Sequence, residues 1–183
     1  MISTSQFLNT ERLTLRSFVQ VDASRLAQLA GNRNISDTMI SVPHPYSTEQ
    51  ASSAITGFLG DFATRRGFHY AMALRSDTDN FVGYIALKDI DWEHRQTELS
   101  FWLDSGHTGR GYVTEAGRAM LVLAFEGLEL NRVCAYHMRR NPASGKVLNR
   151  LGFAREGCLR QRVMKWNKFE DACVWAKLRQ DPR

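Results

Sequence analysis

The chain of 183 residues is poor in cysteine and proline, with three and four residues respectively, and it has no long apolar run. The cysteines, Cys134, Cys158 and Cys173, are odd in number and have neither metal-site nor redox-motif spacing, so we expect reduced, mostly buried thiols. The most apolar stretch, 119–125, is followed at once by Glu126 and falls far short of the ~20 residues that span a bilayer. These shortages argue against a disulfide scaffold and a membrane partner.

The beginning of the chain also lacks targeting signals. Residues 1–6 have neither a basic region nor an apolar region of the kind found in secretory leaders, which predicts a cytoplasmic location. No linker, repeat or low-complexity segment interrupts the chain, and 43% of its residues are hydrophobic. We therefore expect a single domain over 1–183, with its core at about 8–180, and no bound metal.

Positive charge is concentrated in one segment of the chain. Between Arg139 and Lys168 there are nine Lys or Arg residues and one acid, Glu156; this net charge of +8 leaves −3 for the rest of a chain whose total is +5. Such a segment favours an anionic partner, such as cofactor phosphates, nucleic acid or an acidic protein, although a solvated basic face remains the alternative. No helix-turn-helix, zinc or RNA-binding signature accompanies it, so nucleic-acid binding is disfavoured.

Hydrophobic periodicity and capping residues predict a mixture of strands and helices. Helices are expected after Asp22, after Ser47 with Gln50 completing a capping box, from Tyr112, and from Pro142 with Asn141 as cap. A polar turn is expected at 77–80, and strands at 10–18, 69–74, 81–88, 96–103, 132–138, 154–163 and 169–178. The fold class is therefore α/β, with a central mixed sheet covered by helices.

A glycine-rich loop, 106–111, precedes the helix that begins near Tyr112. Gly109 and Gly111 allow a close approach of the backbone to a ligand, and the first turn of the helix offers free N–H groups, so the loop predicts an anion site suited to a diphosphate. A Walker A loop is excluded by the missing Gly-Lys-Ser/Thr, and a Rossmann loop by Thr114 and by the position past mid-chain. A plain strand-to-helix turn remains the alternative.

Two motifs together resemble the GNAT acetyltransferases. Residues 108–116, Thr-Gly-Arg-Gly-Tyr-Val-Thr-Glu-Ala, resemble their coenzyme-A loop, and residues 141–153, Asn-Pro-Ala-Ser-Gly-Lys-Val-Leu-Asn-Arg-Leu-Gly-Phe, resemble their second motif. The opening Thr-Glu-Arg-Leu-Thr-Leu-Arg at 10–16 is similar to the Rim-type subgroup, which modifies ribosomal-protein N-termini. The resemblance implies a mostly antiparallel, splayed sheet flanked by helices, with acetyl-CoA as co-substrate. Thr108 and Val113 depart from the usual loop residues.

The resemblance also implies site residues. Glu98 is expected to be the general base, with His107 or a water chain as alternatives, and Ser144 to be the proton donor to the thiolate. The expected acceptor contacts are Tyr46 and Trp92; Phe68, Trp102 and Trp166 are further candidates. Coenzyme contacts are expected at Phe101, Trp102, Leu103, Thr108, Gly109, Arg110, Gly111, Tyr112, Val113, Thr114, Asn141 and Lys146, and Arg150 is a further candidate.

The nature of the acceptor amine stays open. A protein N-terminal α-amine of the ribosomal type is favoured, while a polyamine, an antibiotic or an amino-acid derivative is the alternative. Val163 stands where one Rim-type pattern has an acid, which weakens the ribosomal assignment. A coenzyme-A-binding module without catalysis and a homodimer are further possibilities.

Overall fold

The computed structural model describes residues 7–182, and within them eight strands form one sheet. The sequence predictions for 1–6 therefore lie outside the described residues. The strands are β1 Phe7–Asn9, β2 Leu13–Ser17, β3 Phe68–Leu74, β4 Asp77–Asp91, β5 Gln96–Leu103, β6 Arg132–Met138, β7 Ala154–Lys165 and β8 Lys168–Leu178.

Helices occupy the connections before β3 and on either side of β6. They are α1 Ala23–Ala30, α2 Arg33–Ser36, α3 Thr48–Ala63, α4 Tyr112–Val122 and α5 Pro142–Arg150. A π-helical turn, Leu123–Gly127, continues α4. Ser47 and Gln50 form the predicted capping box at the start of α3, which gives two orphan N–H groups a partner. No helix among the residues described is long and apolar enough to cross a membrane.

The strands lie in the order β1-β2-β3-β4-β5-β6-β8-β7. Every neighbouring pair is antiparallel except β5 and β6, which run parallel. This confirms the predicted mixed, mostly antiparallel sheet with flanking helices. The single parallel pair follows from the connection, since α4 carries the chain back to the other end of the sheet before β6 begins.

Each face of the sheet carries its own apolar cluster, because side chains alternate between faces along a strand. One cluster joins the sheet to α4 and α5 and contains Leu15, Leu99 and Met120, among others. The other joins it to α1 and α3 and contains Phe18 and Ile55. The two faces of the sheet are therefore distinct surfaces, and the helices that carry the predicted motifs both lie on the first.

Several local predictions were wrong. The chain turns at 75–76, and residues 77–80 belong to β4. Asp22 makes no side-chain cap; its carboxylate pairs with Arg16 at 2.7 Å and is 5% exposed. β1 and α2 were not predicted. Of the three free cysteines, Cys173 is buried but Cys158 is exposed.

A methyl group at Gly83 should destabilise the central strands. An added Cβ would lie 2.6 Å from the main-chain oxygen of Trp102 and 2.5 Å from Met72 Cε, so β5 would have to move away from β4. We expect Gly83→Ala to cost about 2–3 kcal/mol and to lower Tm by roughly 5–10 °C. Calorimetry of Gly57→Ala is the control, because Gly57 lies in α3 with nothing near its Cβ. An unchanged Tm for Gly83→Ala would contradict the packing described.

Candidate active site

A cleft opens where β5 and β6 separate. The two strands pair only through 96–98 and 132–134, although each continues for several more residues. The cleft has a volume of about 1010 Å³ and reaches from the glycine loop, across the gap, to the segment after α2. Because strands that part in this way leave main-chain groups unpaired, the gap can accept an extended ligand as if it were another strand.

The alternation of hydrogen bonds between β5 and β4 decides which main-chain groups of β5 face the gap. The N–H of Asp104 donates to the carbonyl of Val82 at 2.8 Å, and the register then directs the main-chain groups of Trp102 and Ser100 toward β4. The alternate residues of β5, Leu99, Phe101 and Leu103, direct their main-chain N–H and C=O groups toward the gap. Of the predicted strand contacts, Phe101 and Leu103 thus offer their backbone to the cleft, whereas Trp102 lines it through a buried side chain.

The glycine loop presents a row of free donors. Gly109 and Gly111 both have positive φ, 76° and 80°, and Gly111 is the residue from which α4 begins. Within the described chain, none of the N–H groups of residues 109–114 has an acceptor, and the first helical bond is made by Glu115 to Gly111. A Cβ at Gly109 would meet nothing within 4 Å, so the backbone there is open to a ligand. These donors and the positive end of α4 fit a diphosphate.

The residues around this loop differ in whether they line the cleft. Thr108 lines the cleft, but its hydroxyl and its N–H both donate to Ser105 O, at 3.0 and 3.4 Å, so neither donor is free for a ligand. Tyr112, Val113 and Thr114 line the cleft at the start of α4. Arg110 is exposed and does not line it.

Glu98 lies at the point where β5 and β6 part. Its carboxylate is 3.0 Å from Lys88 Nζ, lines the cleft and is 22% exposed. In the parallel register Glu98 faces Cys134, so the two side chains, and that of Tyr136 two residues on, share the face covered by α1 and α3. A carboxylate that is partly shielded and held in one place by Lys88 can accept a proton inside the cleft.

Ser144 reaches the cleft from the opposite face. It lies in the first turn of α5, and its Oγ accepts a hydrogen bond from Asn141 Nδ2 at 3.0 Å. Asn141 stands at the N-cap but makes no side-chain cap, so its amide serves Ser144. Lys146 and Arg150, one helical turn apart, also line the cleft and are exposed. The positive end of α5 can stabilise a negative charge placed near Ser144.

His137 packs closely against α5 at Gly145. Its Nδ1–H donates to Met138 O at 2.9 Å, and its Nε2 accepts from Trp175 Nε1 at 3.0 Å, which assigns the neutral tautomer. A Cβ at Gly145 would be 3.0 Å from His137 Nε2, so glycine permits the close contact that brings Ser144 to the gap.

Five predicted residues, besides Arg110, are not brought to the cleft. Tyr46 is half-buried beside the α1 and α3 cluster, and Trp92 donates to Arg65 O at 3.0 Å in a surface contact; neither lines the cleft. His107 also lies outside it, with Nδ1 2.9 Å from Asp104 Oδ2. Phe68 is a core residue, and Trp166 donates to Asp37 Oδ1 at 2.6 Å.

Sequence reasoning missed several cleft residues. Tyr136 lines the gap, and burial, with help from the adjacent Cys134 and Glu98, raises the pKa of its hydroxyl, which therefore stays protonated at neutral pH. The residues after α2 form the far wall; in the cleft they face Arg162, Val163 and Met164 of β7. The alternation of β6 could have revealed Tyr136, but no local signal marks a wall made from segments more than a hundred residues apart.

The far wall is held by ion pairs. Arg140 donates to Asp37 Oδ2 at 2.6 Å and to Glu170 Oε1 at 3.1 Å, which ties α2 to β8. The hydrogen bond from Arg140, with that from Trp166, lowers the pKa of Asp37. The ion pairs of Arg140 therefore persist at neutral pH and keep the segment after α2 beside the cleft.

Within the described residues, no group of three or more His, Cys, Asp or Glu side chains is placed to hold a metal ion. The donor set of the cleft is instead suited to an anion and to proton transfer.

Known proteins share both the sequence pattern and the fold. The probable N-acetyltransferase YjcK of Bacillus subtilis (strain 168) is 33% identical over 145 residues, which cover 79% of this chain and 80% of YjcK. The ribosomal-protein-serine acetyltransferase of Escherichia coli (strain K12) is 30% identical over 100 residues, 55% of this chain and 56% of that protein. A crystal structure of a probable acetyltransferase, 27% identical, superposes with a TM-score of 0.89 over 96% of this chain and 98% of the other.

The family model for the acetyltransferase (GNAT) domain matches residues 12–154. That range includes the glycine loop, the parted strands and the helix that carries Ser144. With the cleft geometry, the match establishes an acetyl-CoA-dependent N-acetyltransferase, and the chain belongs to the GNAT acetyltransferase family.

Proposed function

We propose that this enzyme acetylates the α-amine at the N-terminus of a peptide or protein. The observation that carries the proposal is the form of the cleft, which runs through the sheet from the glycine loop to an open wall after α2. The donor enters on the α4 and α5 face, and the acceptor approaches from the α1 and α3 face, where Glu98 lies.

The chain's own groups divide the binding of the donor between them. Residues 109–114 bind the diphosphate through main-chain N–H groups. Phe101 and Leu103 bond the pantetheine arm along the open edge of β5. Lys146 and Arg150 add positive charge on the same side. Acetyl-CoA supplies the thioester that is attacked and the sulfur that leaves.

Glu98 and Ser144 then carry out the two proton transfers of the reaction. Glu98 accepts the proton that the attacking amine loses as its nitrogen bonds to the acetyl carbon, directly or through one water. Ser144 donates its hydroxyl proton to the sulfur as the carbon–sulfur bond breaks, while Asn141 donates a hydrogen bond to its oxygen. Solvent returns a proton to Ser144 and takes one from Glu98, so the enzyme is unchanged after each cycle.

The charges on the acceptor side favour a peptide over a polyamine. The acids Glu98 and Asp89 lie 3.0 and 3.7 Å from Lys88 Nζ, and Arg162 adds a further positive charge to the lining of the cleft. A polyamine carries several ammonium groups and needs an excess of carboxylates, which this wall does not provide. A peptide N-terminus carries one amine, and its main chain can bond to the polar wall that contains Asn34, Thr38 and Ser41.

The acceptor class is tested by thiol release from acetyl-CoA with matched acceptors. We expect a hexapeptide with a free N-terminus to have a kcat/KM at least about tenfold higher, roughly 1.4 kcal/mol in the transition state, than spermidine or the same peptide with a blocked N-terminus and an internal lysine. Mass spectrometry then locates the acetyl group. Faster turnover of spermidine, or acetylation at the lysine, would contradict the proposal.

A further inference from the structure

The turn between β1 and β2 is fastened to the first turn of α4. Glu115, in that first turn, accepts three hydrogen bonds from the turn: 2.6 Å from Thr10 Oγ1, 2.8 Å from Arg12 N and 2.7 Å from Arg12 Nε. Its side chain is 15% exposed. A carboxylate with this many partners is fixed in one orientation, and it fixes the Arg12 guanidinium in turn.

From this position Arg12 contacts the glycine loop directly. Its Nη1 donates to the carbonyl of Arg110 at 3.0 Å, and its guanidinium carbon lies 4.7 Å from the centre of the Tyr112 ring. A Cβ on Gly111 would be 3.6 Å from Arg12 Nη2. The guanidinium therefore packs along residues 110–112, the segment whose main chain opens α4.

The bond to Arg110 orients the donors of the loop. The C=O and N–H of a trans peptide point in opposite directions, so a carbonyl of Arg110 that faces Arg12 turns the N–H of Gly111 away from it. That N–H has no acceptor in the described chain. Since Gly109 and Gly111 leave the loop many backbone conformations, an outside contact is needed to keep this one before the ligand arrives.

We propose that Arg12, held by Glu115, is a positioning residue that sets the main chain of 109–112 for the diphosphate of coenzyme A. The role rests on the coenzyme site proposed above. Arg12 acts through the backbone of the loop, and it gives the opening strand motif a function in donor binding.

The test compares coenzyme A with pantetheine, which is the same thiol arm without the diphosphate and the adenosine 3′-phosphate. Dissociation constants of the two ligands are measured by calorimetry for wild type and for Arg12→Ala. We expect the variant to bind coenzyme A about tenfold more weakly, the loss of one good charged contact, and pantetheine within about twofold of wild type. Arg12→Lys should recover little of the loss, because lysine cannot reach Glu115 and the loop together with one planar group.

Arg75→Ala is the matched control. Arg75 Nη1 lies 3.5 Å from the Thr10 carbonyl in the same region and makes no contact with the loop. We expect this variant to bind both ligands as wild type does. Equal weakening of both ligands by Arg12→Ala, or no weakening of either, would overturn the role of Arg12. A wild-type protein that bound coenzyme A no better than pantetheine would instead contradict the coenzyme site, and the role of Arg12 with it.

Discussion

Replacing Glu98 by Gln should lower kcat by about 10²–10³-fold, within the usual range for the loss of a general base. Glutamine keeps the size and the hydrogen-bonding reach of the side chain but cannot accept the proton of the amine. The proposed coenzyme contacts lie on the other face of the sheet and along the open edge of β5, so we expect the dissociation constant of acetyl-CoA to stay within about twofold, less than 0.5 kcal/mol. Steady-state turnover and calorimetry measure the two quantities.

The control for Glu98 is another carboxylate of the same hairpin. Glu93→Gln changes an exposed residue in the turn between β4 and β5 and should leave kcat unchanged. Raising the pH should partly restore Glu98→Gln, because more of the amine is then already deprotonated. Turnover by Glu98→Gln equal to that of wild type at neutral pH would remove Glu98 from the mechanism.

Gly111→Ala should weaken acetyl-CoA binding about tenfold or more. The residue has φ of 80° at the start of α4, a conformation that costs an L-residue roughly 1–2 kcal/mol. Relaxation of this strain would turn the N–H groups of 111–114 away from their common direction. With wild type, acetyl-CoA at a hundred times its Kd should add about 2.7 kcal/mol of stability, and the variant should lose much of that shift at the same concentration.

Gly60→Ala is the control for this glycine. Gly60 lies in α3 with open space where a Cβ would be, so alanine is tolerated there and should not affect coenzyme binding. Calorimetry and thermal unfolding with and without acetyl-CoA distinguish the two variants. Unchanged acetyl-CoA affinity in Gly111→Ala would contradict diphosphate binding by the loop.

Local signals predicted much of the fold. The bounds of β5 and β6 were found from apolar alternation, and Ser47 and Gln50 marked the start of α3. Such signals act within a few residues, and the structure retains them because the backbone must satisfy its own hydrogen bonds wherever the segment packs. The short β1 and α2 carry too few residues for a period to appear.

The predicted acceptor residues show the limit of that reasoning. The chemistry of Tyr46 and Trp92 predicts contacts to the acceptor, but an aromatic side chain serves the core, the surface or a site according to what packs against it. Trp92 donates a hydrogen bond to the Arg65 carbonyl, and Tyr46 packs against the apolar cluster under α1 and α3. Tyr136, a residue of the same kind that was not predicted, lines the gap.

The sequence by itself determined the glycine loop and its free N–H groups, since two glycines and the start of a helix produce them through local geometry alone. Only the tertiary structure decided that β5 and β6 part after three paired residues, that Glu98 and Ser144 meet the gap from opposite faces, and that Arg12 reaches the loop. These depend on strand register and on contacts between distant segments, which are set by the packing of the whole sheet and leave no periodic trace in the chain.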